Sequence, residues 1–502
     1  MVKLAAAPAN QVAQFRSDGF NASTGLRVPF YTDSFDRSNG LPAVRLINQI
    51  VEATPLREEG AYRAAVGLRE VHYTRPGLVS AYSQGNGPVR GVVVAPPIYG
   101  GITVMVSGTT AYNAATGASL GTIPGTDLVR FAQSRSQLVM VANGSAWLFN
   151  GSTFAVITSA VLPPVSDVVY LAGRFVYACT GSDTFYFSAI NDAANIDGLN
   201  FETAEAYPDA TVALGILNEE LVVFGANSVQ FFQISSDAAA PFSPLVGRGF
   251  QRGCVSRGSV AFVDNSLFWV ADNRVVYRAG PDAPHRISNS SIEDKLRQCV
   301  NVAGITAWGA TFEGHEIYLL NIPGVGSYAY DASRIGLREA DRGEWAEWQS
   351  WNRANFRGQV ATVQNDMTYV GDDTTGTVWA MTPGVYADGS DPLVRVVSAF
   401  IKVEEGTPRC NNLVLHGVVG VGNAVDPGGN PQVEMRWSDD QGRTFVDWRK
   451  ASLGKMGRTY TRAFWQRLDC MRAPGRLVEI RCSEPVVFTC SHLELNATRP
   501  AT

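Results

Sequence analysis

A chain of 502 residues is too long for one compact core, and predicts two or three domains that each bury an interior of their own. Hydrophobic residues make up 45% and charged residues 17%; the chain reads as globular and not fibrous, and so low a charged fraction suggests broad protein-covered surfaces. The net charge of −5 and the lack of any Lys/Arg run argue against high-affinity nucleic-acid binding.

At the N-terminus, MVKLAAAPANQVAQF has no apolar stretch of signal-peptide length. The nearest approach to a membrane span, GVVVAPPIYGGITVMVSG from Gly91, is broken by paired prolines and glycines, so strands and a turn are predicted there and no span. The seven cysteines are scattered, odd in number and without metal-ligand spacing, which fits free thiols in a reducing compartment.

From about residue 90 the chain repeats one unit: an apolar strand, a small polar turn, and a second strand carrying an aromatic. The copies are ITVMVSGTTAYNA from Ile102, QLVMVANGSAWLFNG from Gln137, RFVYACTGSDTFYFS from Arg174 and ELVVFGANSVQFFQI from Glu220. SLFWVADNRVVYRAG from Ser266, EIYLLNIPGVGSYAYD from Glu316 and MTYVGDDTTGTVWAM from Met367 complete the series. Each is a β-hairpin, and their starts lie 35 to 51 residues apart, the spacing of propeller blades. Seven hairpins predict an all-β fold with a propeller of six or seven blades over residues 56–392; stacked β-sandwiches are the alternative.

One stretch departs from the β pattern. In ISNSSIEDKLRQCV from Ile287, Ser290 and Glu293 form a Ser-x-x-Glu capping box and Ile292 and Leu296 share a face, so a short helix near 290–299 is predicted on a loop between blades, its charges forming a solvated face. The hairpin repeat stops at DGSDP, and strands such as LVRVVSAFIKVEEG, PQVEMRWS and RLVEIRCS predict a separate C-terminal β-sandwich over 393–502. Residues 1–55 are left as an N-terminal extended segment. From residue 396 on, fourteen basic residues stand against eleven acidic ones, 14 − 11 = +3, which leaves −8 upstream. Such asymmetry can favour head-to-tail or interdomain contact, but its modest size favours an evenly solvated surface.

Chemical motifs are few. WSDDQGRTF, Trp437 to Phe445, is an Asp-box turn of the kind sialidases repeat, and it raises a carbohydrate-binding or sialidase-like reading. A single copy outside the hairpin repeat favours a structural turn, with Asp440 accepting backbone N–H groups, Gly442 at positive φ and Phe445 or Trp437 packed beneath. Ser119 in GASLG matches the nucleophile elbow in letters, without its strand-turn-helix setting. The run Gly371 to Gly376, with Asp372 and Asp373, lacks the ligand alternation of a calcium loop and predicts a hairpin turn. His72, His285, His315, His416 and His492 are far apart in sequence, and Phe231, Phe232 and Trp269 fit core packing. The expectation is no catalytic, cofactor-binding or metal residue, and no enzyme.

The order of these pieces resembles a known family. VRLINQIVEATP from Val44, LREVHYTRPGLVS from Leu68, LAGRFVYACTGSDTFYFSAIND, GILNEELVVFGANSVQFFQI, the RISNSSIEDKLR helix, MRWSDDQGRTFVDWR and AFWQRLDCMRAPGRLVEIRCSEPVVFTCSHLEL are similar to strings of the tail hub proteins of short-tailed bacteriophages, also called packaged-DNA stabilisation or tail nozzle proteins. The resemblance runs from about Val44 to Leu495 and does not extend to the first forty or so residues. It implies a structural virion protein in a ring of six copies that continues the tail below the portal and adaptor, retains packaged DNA and conducts it during ejection. The implied partners are further copies of the chain, the adaptor ring, tail fibres or tailspikes, a tail plug or needle, and double-stranded DNA passing without sequence-specific binding. The implied location is the virion tail, after assembly in the host cytoplasm.

Overall fold

The computed structural model describes residues 13–15, 22–31, 44–54, 69–205, 207, 209–237, 240–280, 283–334, 345–404 and 406–498. Six consecutive four-stranded antiparallel sheets follow one another along the chain, and each forms one blade. Blade 1 comprises Val89–Val94, Thr103–Ser107, Thr110–Asn113 and Ser119–Thr122; blades 2 to 6 begin at Arg130, Val165, Thr211, Ala261 and Thr306. Blade 7 is composite. Gly358–Gln364, Met367–Asp372 and Thr377–Thr382 take as their fourth strand Gly77–Ser83, from the other side of the repeat, with Thr382 opposite Gly77 and Thr377 opposite Ser83. The seven hairpins read from the sequence are the second and third strands of the seven blades.

Blades hold together through apolar side chains between adjacent sheets, and these clusters close a circle. Val104, Val106, Leu138 and Met140 join blades 1 and 2; Val139, Val141, Phe175 and Tyr177 join blades 2 and 3. Successive clusters continue around the ring to Trp308, Phe356 and Val370 between blades 6 and 7, and to Val89, Met105 and Val378, which bring blade 7 back to blade 1. Seven such seams, each with several fully buried apolar side chains at about 1.5–3 kcal/mol apiece, make a ring in which no blade is stable alone.

The helix between blades 5 and 6 spans Ser290–Gln298, and Ile292 and Leu296 enter the core between those blades. Its cap differs from the sequence reading. Asn289 is the N-cap, its Oδ1 accepting from the Ile292 N–H at 2.9 Å, so the expected Ser290 box does not form. Glu293 turns instead to the Ser288 hydroxyl (2.9 Å) and the Arg286 guanidinium (2.7 Å) and is buried, which removes it from the expected solvated face.

Two further sheets face each other across a large core. One orders Ala13–Phe15, Arg395–Val403, Gly475–Cys482, Gln432–Ser438 and Arg449–Ser452; the other orders Gln49–Thr54, Arg69–Thr74, Cys490–Thr498, Arg409–Gly417 and Ala463–Gln466, with Ala22–Pro29 also paired to Cys490–Thr498. Val28, Val51, Ile401, Trp437, Ile480 and Leu493 meet between them. Strands from residues expected to form a separate extended segment, 1–55, thus belong to this sandwich, and Arg69–Thr74 from the range assigned to the propeller does too. Residues 1–12, 16–21, 32–43 and 55 of that segment lie outside the described residues. The chain enters the ring from the sandwich after Thr74 and returns to it at Arg395.

Candidate functional site

Blade order makes the first strand of each blade the innermost, so the ends of these strands border the propeller axis. At one end the axis is spanned by Arg257. This residue precedes blade 5, in a short 3-10 turn fixed by the Ser256 hydroxyl, which accepts from Gly258 N and donates to Ile305 O at 2.8 Å. Arg257 reaches across to blades 2 and 3: Nη2 donates to Leu128 O at 2.9 Å, and Nη1 donates to Ser166 O. Asp127 stands 3.6 Å from the guanidinium. Next to it Arg130 of blade 2 pairs with the fully buried Asp167 of blade 3 at 3.0 Å, and Asp167 also accepts from Leu214 N of blade 4. Burial pushes the Arg257 pKa down, with Asp167 opposing. Gly258 leaves no room for a side chain here, since a Cβ would stand 2.7 Å from Ile305 O.

This arrangement ties four blades across the axis at one end. Arg257→Ala would leave two carbonyls without their donor, so the expected loss is about 1–3 kcal/mol, read as a lowered thermal unfolding midpoint of the full chain. An unchanged midpoint would show that the tie is not stabilising.

The second point of interest is where ring and sandwich join. Leu46 to Asn48 is shared by both: Ile47 exchanges backbone hydrogen bonds with Val396 of the sandwich, while Asn48 N donates to Glu347 O and Glu347 N to Leu46 O on the outer strand of blade 6. The Arg45 guanidinium adds a two-pronged pair to Glu347 at 3.0 Å on both arms. Two buried arginines mark the chain crossings. Arg75 pairs with Asp388 at 2.7 Å, both side chains fully buried. Among the described residues Arg395 hydrogen-bonds uncharged atoms: it donates to Cys482 O, Val486 O and Glu484 O and touches Thr74 Oγ1 and Cys482 Sγ. Backbone pairing plus buried guanidinium networks make this a stiff joint where a bare linker would allow hinge motion.

The residues singled out by sequence are placed as follows. In the Asp-box turn, Asp440 Oδ1 accepts from Thr444 N (2.8 Å), Arg443 N (3.0 Å) and the Ser438 hydroxyl (2.7 Å), and Oδ2 accepts from the Thr444 hydroxyl (2.6 Å). Gly442 has φ +85°, Gln441 has φ +64°, and Trp437 is in the sandwich core. The carboxylate is spent inside the turn. What the turn positions is a stack on the sheet's outer face, with Arg436 between Phe445 (4.1 Å) and Trp448 (4.5 Å), and Arg481 on Trp448 (4.1 Å). The Thr444 and Ser438 bonds hold the Asp440 carboxyl well below the usual carboxylate range. A depressed folded-state value means that the turn's contribution is complete above the ordinary range near ~4 and is lost as pH falls through the lowered value. The stack is therefore expected to survive at pH 4 in the native chain and to loosen at every pH in Asp440→Ala, read by Trp448 fluorescence; a stack unaltered in the variant would remove this role.

Ser119 starts the exposed last strand of blade 1, with no helix after it. Asp372 accepts from Thr374 N, Thr375 N, the Thr374 hydroxyl and Trp379 Nε1, the expected hairpin turn of blade 7. His315 bonds Asp331 at 2.6 Å within blade 6. Sequence distance concealed one pair: His416 and His492 lie on adjacent strands with rings stacked 4.4 Å apart, and His416 meets Glu494 at 2.8 Å. Only cross-strand register brings them together. Among the described residues no group of three or more His, Cys, Asp or Glu is arranged to hold a metal ion, and no helix is long and apolar enough to cross a membrane. The seven cysteines are free thiols, six of them buried.

These features define the class: a seven-bladed β-propeller rooted in a β-sandwich. Residues 63–385 match the family model described as bacteriophage P22 Gp10, beta-propeller, and the chain belongs to that family. Among characterised proteins it is similar to the tail hub protein gp10 of Salmonella phage P22, 23% identical over 229 residues, 41% of this chain and 48% of the relative, so the match spans about half of that protein's length. Among solved structures it is similar to BamB from Moraxella catarrhalis (12% identity, TM-score 0.39, 68% of this chain and 98% of that one) and to the computationally designed Ika8 protein (12%, TM-score 0.37, 72% and 100%).

Proposed function

We propose that this chain is a structural component of a phage tail, a tail hub or nozzle subunit that assembles as a ring of about six copies beneath the portal and adaptor, retains the packaged genome and conducts it on ejection. The ring would also carry fibres or tailspikes and a plug or needle. In this reading the propeller is an insertion within the sandwich, and both serve as framework, not as enzyme. Membership of the P22 Gp10 family supports the tail assignment.

The observation that carries the mechanical part is the tie at the propeller axis. Arg257, Arg130 and Asp167 tie blades together across one end of the axis, and in this reading a duplex travels through a lumen bounded by several copies and not through one propeller. The chain's net charge of −5 suits such a wall, because few cations are available to neutralise phosphates and hold the duplex back. The stiff joint at Leu46–Asn48 suits a part that must keep its shape under load.

The test is the protein's presence in purified particles, followed by electron microscopy of the purified chain with its adaptor. A closed ring with a mass near six times 54.1 kDa is expected. Absence from particles would overturn the assignment; so would a chain that stays monomeric on adaptor rings. The sialidase-like reading loses its basis with Asp440, whose oxygens are engaged in its own turn.

A further inference from the structure

We propose that the outer rim of blade 3 docks on the basic end loop of the sandwich of a second copy, giving the head-to-tail contact that closes the ring; this rests on the tail-hub reading above and assigns its subunit interface. Charge is segregated along the chain. From 175 to 247, covering most of blades 3 and 4, there is no Lys or Arg and there are nine Asp or Glu, whereas 443–476 holds nine Lys or Arg and two Asp.

Both regions also expose apolar side chains. On blade 3 the loop after the third strand presents Ile190 at 64% and Leu199 at 82% exposure, beside Phe201 on the outermost strand. Asp192, Asp197 and Glu205 flank them in sequence: Asp192 and Asp197 accept from Ala194 N and Leu199 N in their own turns, and Glu205 accepts from the Thr203 hydroxyl. Burial and the neighbouring Glu205 charge push the Glu202 pKa up, while the flanking cation Arg174 is turned to Ser188 O and the Phe187 ring. In the sandwich, residues 453–462 connect two edge strands, Arg449–Ser452 and Ala463–Gln466. There Tyr460 is 82% and Met456 62% exposed, with Lys455, Arg458 and Arg462 exposed around them. Large exposed apolar groups rimmed by charge are the composition of a binding surface.

One copy cannot satisfy itself. The sandwich attaches to blade 6 through Ile47 and to blade 7 through the strand that follows Thr74, and blade 3 lies on the far side of a seven-bladed ring from both. The basic loop sits at the sandwich edge opposite Ile47. Two different patches on opposite ends of one molecule, of opposite charge, make a heterologous contact, which repeats from copy to copy until it closes.

The test places one cysteine in each patch, Ala194→Cys and Thr459→Cys, in the full chain incorporated into phage particles. Mild oxidation of the double variant is expected to give a ladder rising in steps of 54.1 kDa on a non-reducing gel, and neither single variant should give one, which controls for the exposed Cys470. Arg458→Glu with Arg462→Glu should lower incorporation by about tenfold or more, with recovery when Asp197→Lys and Glu205→Lys are added in the same chain. Particles that contain the chain but give no ladder and no charge-swap rescue overturn this interface and leave the tail assignment standing. Particles without the chain overturn both.

Discussion

Arg75→Ala is expected to be among the most damaging single substitutions in this protein, at about 3–5 kcal/mol, because it strands a buried carboxylate. Asp388 and Arg75 have no exposed side-chain surface, and their pair is 2.7 Å long. The same guanidinium donates to Asn48 Oδ1 at 2.9 Å and to Pro76 O at 2.9 Å, and it lies 4.8 Å from the Phe356 ring. Asn48 in turn donates to Gln349 O and Val394 O, so the loss spreads into the segment shared by ring and sandwich. Arg75→Lys should recover little, since a point charge cannot serve a carboxylate and an amide at once as the guanidinium fork does. The double variant Arg75→Leu/Asp388→Leu should be markedly milder than Arg75→Ala, because no buried charge remains. Chemical denaturation of the three variants against the native chain measures this order. An Arg75→Ala midpoint equal to that of the native chain would show that the joint does not depend on this pair.

That joint also marks where sequence reading stops. The seven hairpins were legible because the second strand of a blade is buried on both faces: Thr103–Ser107 and Leu138–Ala142 have every residue buried and read as unbroken apolar runs. Some last strands are short and exposed, as in Phe154–Val156 and His285–Arg286, and their composition is that of a loop. The hairpins left the ring at six or seven blades, and the closing strand that settles seven was not legible, because Gly77–Ser83 pairs with residues about three hundred positions away and its own letters carry no trace of the partner. The sandwich was legible from alternation after Arg395, whereas its N-terminal strands are specified by the core they complete.

The same logic applies to sites. The Asp box could be read as a turn because all its bonds are local, from Ser438 to Thr444. Arg257, Arg130 and Asp167 could not, because Arg257 crosses the axis to partners far away in sequence and Arg130 meets Asp167 on the neighbouring blade. The one signal available was the Ser-Arg-Gly-Ser turn before blade 5, whose Gly258 is required by a carbonyl at 2.7 Å from its would-be Cβ, a contact invisible without the fold.

The largest effect is expected from removing residues 1–83. Those residues supply the fourth strand of blade 7 together with Ala22–Pro29, Gln49–Thr54 and Arg69–Thr74 of the sandwich. Five apolar side chains among them, Val28, Phe30, Ile50, Val51 and Leu78, are almost wholly buried, and at 1.5–3 kcal/mol each their loss alone removes about 7–15 kcal/mol. That equals the ~5–15 kcal/mol by which a native domain is stable, so no folded product is expected from a chain that starts at Gln84. A chain that starts at Arg75 separates the two contributions. It retains Gly77–Ser83 and therefore the closed circle of seven blade seams, while its sandwich lacks three strands of one sheet and Ala13–Phe15 of the other. Limited proteolysis should leave a propeller-sized core in the longer fragment and none in the shorter. If both fragments yield the same resistant core, ring closure by Gly77–Ser83 is not what holds the propeller, and the seams between the other blades suffice.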